Sequence, residues 1–214
     1  MNRDERVATF INSLEAENSE LLEEIEQEAL EANIPIIKKE TQSFLKVLLQ
    51  IKKPMDILEV GTAIGFSALL MSENVPLGCK ITTIENFEKR AHVAEENFRR
   101  AKKENQITLI KGDAIEVLKE LEGTFDFVFM DAAKAQYIYY FPHVLRLLKS
   151  SGILVSDNVL QDGDIIESRY AIEKRNRTIH DRMREYLYLL KHHEELETSI
   201  IPIGDGVALS YKKS

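Results

Sequence analysis

The chain has 214 residues, 44% hydrophobic and 30% charged, which suits one compact domain and is too apolar for a disordered chain. A formal net charge of −8 argues against general electrostatic attraction to nucleic acid, and no apolar run reaches the roughly 18 residues of a membrane span. The opening MNRDERVATF lacks the apolar core of a signal peptide, and a lone cysteine, Cys79, excludes an internal disulfide and a thiolate zinc site, so the expected compartment is the cytoplasm.

Residues 1–31 carry ten carboxylates against Arg3 and Arg6, so this segment holds the whole net charge. Between the acids, Val7, Phe10, Ile11 and Leu14, then Leu21, Leu22 and Ile25, recur at helical spacing. A further helix is predicted over about 40–51, with Phe44, Leu45, Leu48 and Leu49 on its apolar side and Pro54 beyond its end. The N-terminal stripe has no place in a complete α/β core, so it is expected to pack on a two-fold-related copy as well as on its own domain, giving a homodimer.

After Pro54 the texture changes. Short apolar runs at 57–60, 81–84, 107–110, 125–130 and 153–156 end at Gly61, Glu85, Gly112, Asp131 and Asp157. Helical stretches separate them at about 64–74, 87–104, 113–122 and 134–149, which implies a buried parallel sheet covered on both faces. At the tail, Ser199–Ile203 and Val207–Tyr211 flank Gly204-Asp205-Gly206, a turn so short that these strands must be antiparallel neighbours. No repeat or linker interrupts the chain, which reads as one domain over 1–214: N-terminal helices to residue 53, then an α/β core over 54–214.

Ligands of open α/β sheets bind at the carboxyl ends of the strands. Here those ends carry Glu59, Gly61, Glu85, Asp113, Asp131, Asp157 and Asn158. Any one of the acids could cap a helix, but five on one rim would repel each other without a cation. The stretch Glu59-Val60-Gly61-Thr62-Ala63-Ile64-Gly65-Phe66-Ser67 has two glycines and matches neither the dinucleotide fingerprint nor the phosphate loop. It allows close backbone approach to a ligand and turns helix N–H groups toward an anionic group. Glu85 at the next strand end suits a ribose, and with Asp113 this points to S-adenosylmethionine. Asp131, Asp157 and Asn158 are hard oxygen donors suited to Mg²⁺ or Ca²⁺. Lys134 lies three residues past Asp131, either as its ion-pair partner or as a general base whose pKa a nearby cation would lower.

These residues, with Gly112-Asp113-Ala114, Phe125 through Lys134, Asp157-Asn158-Val159 and the stretch from Leu196 through Ile203-Gly204-Asp205-Gly206, resemble the Mg²⁺-dependent O-methyltransferases related to catechol and caffeoyl-CoA O-methyltransferases, from about Ile34 onward. The resemblance implies a seven-stranded Rossmann-like methyltransferase fold with a mixed sheet, helices on both faces and an extra N-terminal helical segment. It implies S-adenosylmethionine on Ile37, Glu59, Gly61, Ser67, Glu85, Asp113, Ala114 and Asp131, a divalent cation on Asp131, Asp157 and Asn158, and Lys134 as base beside Asp131. Cation coordination lowers the pKa of a hydroxyl, and chelation of two adjacent oxygens fixes the attacking one, so the acceptor should carry vicinal oxygens. Catechols do, and so does 5-hydroxyuridine.

After Asp157-Asn158 the chain reads Val159-Leu160-Gln161-Asp162-Gly163, where members acting on phenolics commonly carry an aromatic residue. Then come Arg169, Lys174, Arg175, Arg177, Arg182 and Arg184, with Glu167, Glu173, Asp181 and Glu185 interspersed. This run is either a solvated face or a phosphate-binding rim overhanging the metal site, with Lys38, Lys39, Arg99, Arg100, Lys102 and Lys103 as more distant candidates. On the second reading the chain resembles the bacterial tRNA 5-hydroxyuridine branch, with an anticodon loop held by Arg169, Lys174, Arg175 and Arg177 and 5-methoxyuridine made at the wobble position. The alternative is a small-molecule catechol or phenolic O-methyltransferase. A non-catalytic cofactor-binding or scaffold protein is opposed by the presence of Asp131, Lys134, Asp157 and Asn158 together.

Overall fold

A computed structural model describes residues 3–214. Three helices come first, α1 (Arg3–Asn12), α2 (Glu20–Glu31) and α3 (Lys39–Lys52). Strands and helices then alternate: β1 (Asp56–Val60), α4 (Phe66–Glu73), β2 (Lys80–Glu85), α5 (Glu88–Arg100), β3 (Ile107–Lys111), α6 (Ala114–Glu120), β4 (Phe125–Met130), α7 (Tyr137–Leu147) and β5 (Leu148–Ser156). A long helix α8 (Arg177–His192) precedes the final pair β6 (Leu196–Ile201) and β7 (Val207–Lys212).

The seven strands form one sheet in the order β3-β2-β1-β4-β5-β7-β6. The first five are parallel, and β7 runs antiparallel between β5 and β6. Side chains of successive strand residues face opposite sides, so each central strand feeds two cores. Ile57 of β1 and Phe127 and Phe129 of β4 join Leu22, Leu45 and Phe66 under α2, α3 and α4. Leu58 and Val60, with Val128 and Met130, join Tyr137, Val144, Met183 and Tyr186 under α7 and α8. This is a Rossmann-like fold, and the order reverses between β1 and β4, which puts Gly61 and Asp131 at the switch point where such folds bind ligands.

Three boundaries depart from the sequence expectation, among them β6, which runs Leu196–Ile201 instead of 199–203. The helix foreseen over 134–149 begins as a 3₁₀ turn (Lys134–Gln136) and becomes α-helical only at Tyr137. β5 starts at Leu148, five residues earlier than expected, because the left-handed Ser151 (φ 62°) before Gly152 lets the chain shift register against β4 and continue as strand. The N-terminal stripe divides: Leu22, Ile25 and Ala29 are buried in the chain's own core, whereas Val7, Phe10, Ile11 and Leu14 are exposed.

Candidate active site

The strand ends enclose a cleft of about 590 Å³, within the size range of small-molecule sites. Its wall includes Ile37, Gly61, Glu85, Ala114, Asp131, Lys134, Asp157 and Asn158 from the sequence-derived set, together with Lys38, Asn86, Arg90 and Asp205.

The turn after β1 is built around glycine. Gly61 has φ +102°, and a Cβ there would lie 2.2 Å from the Asp131 carbonyl oxygen, so β1 and β4 can end side by side only with glycine at this position. The N–H groups of Gly61 and Thr62 both donate to the Ile84 carbonyl, at 3.1 and 3.2 Å. Glu85 is held by two backbone donors, Ala63 N–H at 2.8 Å and Phe87 N–H at 2.9 Å, and remains on the cleft wall.

Of the other expected cofactor contacts, Glu59, Ser67 and Asp113 lie just off the cleft wall. Glu59 is fully buried, since the alternation of β1 turns it to the same face as Ile57. It accepts hydrogen bonds from Ser67 Oγ at 2.5 Å and from Thr83 Oγ1, whose oxygen also lies 2.6 Å from the Thr62 hydroxyl. Burial drives its carboxyl up to about 7 despite the Ser67 and Thr83 bonds, with the charges of Asp131 and Glu85 adding to the rise. Asp113 is the N-cap of α6, its Oδ1 accepting from Ile115 N–H at 2.9 Å and Glu116 N–H at 3.4 Å. Its neighbour Ala114 reaches the cleft instead.

On the β4–β5 side, Lys134 Nζ donates to Asp131 Oδ1 at 2.7 Å and to the Tyr137 hydroxyl at 3.3 Å. Tyr137 is fully buried, and its hydroxyl donates to the carbonyls of Met130 (3.0 Å) and Asp157 (3.2 Å), tying the two strand ends together. Burial, reinforced by Asp131 and Asp157, holds its phenol well above the usual range, so it stays a donor. Asp157 is 5% exposed, and its Oδ1 is buried with no hydrogen-bond partner among the described residues. Burial, then the Asp131 charge, pushes Asp157 up to about 7, against the pull of Lys134 and the Asn158 N–H. Asn158 has φ +63°, a conformation that asparagine tolerates better than most residues. Among the described residues no group of three or more His, Cys, Asp or Glu is placed to hold a metal; the expected set here is two carboxylates and one amide.

Arg169, Lys174, Arg175 and Arg177 are not brought to the cleft wall. Arg169 pairs with Asp181 at 2.7 Å, Arg175 with Glu173 at 2.7 Å, and Arg177 Nε donates to the Ile172 carbonyl at 3.1 Å. The lid expected over the metal site is therefore absent from the wall, because the interspersed acids and carbonyls of the same segment take up these arginines. Sequence reasoning missed Tyr137 and Asp205 as site residues, and it named Lys38 only as a distant phosphate-binding candidate. Tyr137 stands one turn past Lys134, and Asp205 lies within the Gly-Asp-Gly turn, so spacing could have found both.

A family profile described as O-methyltransferase matches residues 12–213. The chain is 33% identical over 169 residues to a catechol O-methyltransferase of Niastella koreensis, covering 76% of each chain. It is 28% identical over 184 residues to caffeoyl-CoA O-methyltransferase 2 of Populus trichocarpa, covering 83% of this chain and 74% of the other. Among solved structures it resembles an O-methyltransferase from Bacillus cereus in complex with SAH (TM-score 0.85, 26% identity, 97% of each chain covered). It also resembles the SAH-bound methyltransferase PaMTH1 of Podospora anserina (TM-score 0.88, 26% identity, 100% and 97% covered). Among the described residues no helix is long and apolar enough to cross a membrane.

Proposed function

The chain belongs to the O-methyltransferase family and uses S-adenosylmethionine, and from that premise we propose that its acceptor is a small catechol-like phenol with two adjacent oxygens, methylated with the help of a divalent cation. The observation that carries this reading is the convergence of Asp131, Lys134, Asp157 and Asn158 on one cleft wall from which the four basic residues of 169–177 are missing. The names of the relatives, catechol and caffeoyl-CoA O-methyltransferases, favour the same acceptor class over tRNA.

Asp131, Asp157 and Asn158 fit a hard cation such as Mg²⁺: the donors are oxygens, and the buried, unpartnered Asp157 Oδ1 is a costly acceptor that such an ion would satisfy. When bound, the ion supplies positive charge that makes the acceptor hydroxyl more acidic. Lys134 Nζ donates to Asp131, and its amine is the group placed to take the proton of the acceptor hydroxyl. S-adenosylmethionine, when bound beside Gly61 and Glu85, would supply an electrophilic sulfonium methyl to that oxygen, its sulfur departing as a neutral thioether. Tyr137 holds Lys134 and the ends of β4 and β5 in place during this exchange.

The test is a radiolabelled methyl-transfer assay with catechol, phenol and tRNA, each with Mg²⁺ and with excess chelator. Turnover of catechol with Mg²⁺, and of neither phenol nor tRNA, is expected. Transfer to tRNA with none to catechol would overturn the acceptor reading, and full activity in chelator would overturn the cation.

A further inference from the structure

Two segments far apart in sequence meet on the cleft wall. One is the stretch before α3, which carries Ile37 and ends at Lys38, the residue preceding that helix. The other is the turn between β6 and β7, with Asp205 at its centre. Lys38 Nζ and Asp205 Oδ1 form an ion pair between them, and with side-chain exposures of 47% and 17% it sits at the rim, in reach of solvent.

The turn is firmly seated on the neighbouring site loop. Leu160 N–H donates to the Asp205 carbonyl and Val159 N–H to the Gly206 carbonyl, both at 2.9 Å, so the turn backs the residues directly after Asp157-Asn158. A Cβ at Gly206 would come within 2.3 Å of Leu160 Cγ, and one at Gly204 within 2.6 Å of Thr41 Oγ1, in the first turn of α3. The turn is thus wedged between the start of α3 and the loop of the site, and the Lys38 side chain adds a charged link across to it from the Ile37 segment, whose Ile37 is itself buried in the core.

We infer that Lys38 is a positioning residue: through Asp205 it straps the Ile37 segment to the turn behind the Asp157-Asn158 loop and holds the cleft closed on the bound methyl donor. A rim-exposed pair of this kind biases an equilibrium by up to about fivefold and weakens with salt. That strength suits a closure that must also open at every turnover to exchange the spent donor.

The inference rests on the methyl-donor reading of the cleft, which binding of S-adenosylhomocysteine by the wild-type chain tests by itself. Stopped-flow association and dissociation of S-adenosylhomocysteine would be measured on the full chain and on Lys38→Met and Lys38→Arg, each at low and high salt. Lys38→Met is expected to release the ligand about two- to fivefold faster and to lose the wild type's acceleration of release by salt, while Lys38→Arg restores both. Release from Lys38→Met at the wild-type rate and salt dependence would overturn the strap. Slower association with unchanged release would also overturn it, assigning Lys38 to direct attraction of the ligand instead. A wild-type chain that does not bind S-adenosylhomocysteine would overturn the donor reading and the strap with it.

Discussion

Replacing Gly61 by alanine tests the claim that the cleft exists because two strand ends approach more closely than any side chain allows. At φ +102° an L residue costs about 1–3 kcal/mol in backbone strain. The new methyl would also lie 2.2 Å from the Asp131 carbonyl oxygen and 2.7 Å from its carbon, both backbone atoms that cannot swing aside. Forcing such contacts apart adds about 1–3 kcal/mol, so Gly61→Ala should lose roughly 2–6 kcal/mol in total, a large part of an ordinary domain's stability. Gly123→Ala is the control, since Gly123 has a similar φ of +88° with nothing within 4 Å of an added Cβ, and only the strain cost applies. Urea unfolding with matched m-values measures the difference. S-adenosylhomocysteine binding should weaken in the Gly61 variant alone, because relief of the clash must move the β4 end that carries Asp131. Equal losses in the two variants would refute the steric argument.

Tyr137→Phe removes the hydroxyl shared by the Met130 and Asp157 carbonyls, of which Met130 keeps the Asp157 N–H, and should cost about 1–3 kcal/mol in urea unfolding together with a fall in methyl-transfer rate; stability loss with full activity would dissociate Tyr137 from the site. Glu59 titrates at about 7 when folded against an ordinary 4.5, so the folded state keeps a proton that the unfolded chain releases between those values. Its contribution to stability is full below pH 4.5 and is lost as pH rises to about 7, and Glu59→Gln should flatten that decline; identical pH profiles of unfolding would count against the buried neutral carboxyl. Arg175 and Arg177 lie off the cleft, and exposed pairs such as Arg175–Glu173 contribute little, so the double alanine variant should turn over catechol within about twofold of wild type; a large loss would return this segment to the substrate site. The exposed stripe Val7, Phe10, Ile11 and Leu14 supports the homodimer we propose, and sedimentation at micromolar concentration should give twice the chain mass, falling to one when Phe10 and Leu14 are replaced by glutamate.

The central strands were legible because strands buried on both faces are continuous apolar runs, and the acids that end them interrupt the pattern abruptly. The antiparallel edge was legible because Gly204-Asp205-Gly206 is too short for a crossover. The burial of Glu59 was legible in the strand itself: period-two alternation puts residues 57 and 59 on one face, and Ile57 faces the core. Asp113 carried both a capping and a binding reading, and the placement of the Ile115 and Glu116 N–H groups shows the cap. The course of the basic run was illegible for a different reason. Closeness in sequence to Asn158 fixes how far the chain can reach but not the direction it takes, and the acids between the arginines become their partners once the segment folds onto the first turns of α8.

The rim that drew attention in the sequence is also where the folded chain is most at odds with itself. Asp131, Asp157 and Asp205 share the wall with Lys134 and Lys38, which pair with Asp131 and Asp205 respectively. Asp157 is the carboxylate without such a partner. It is the one whose Oδ1 is buried and unbonded and whose proton affinity rises to about 7, with Asp131 and Asp205 both contributing to the rise. A chain selected for stability alone would exchange it for an apolar residue, since an unpaired buried carboxylate costs more than it returns. Its neighbours instead reinforce its position: Tyr137 fixes its carbonyl, the β7 turn backs the loop that follows it, and Asn158 adopts a left-handed backbone beside it. Local order bought at the expense of electrostatic balance is what a preorganised ligand set requires, and it supports a divalent cation more directly than the residue types do.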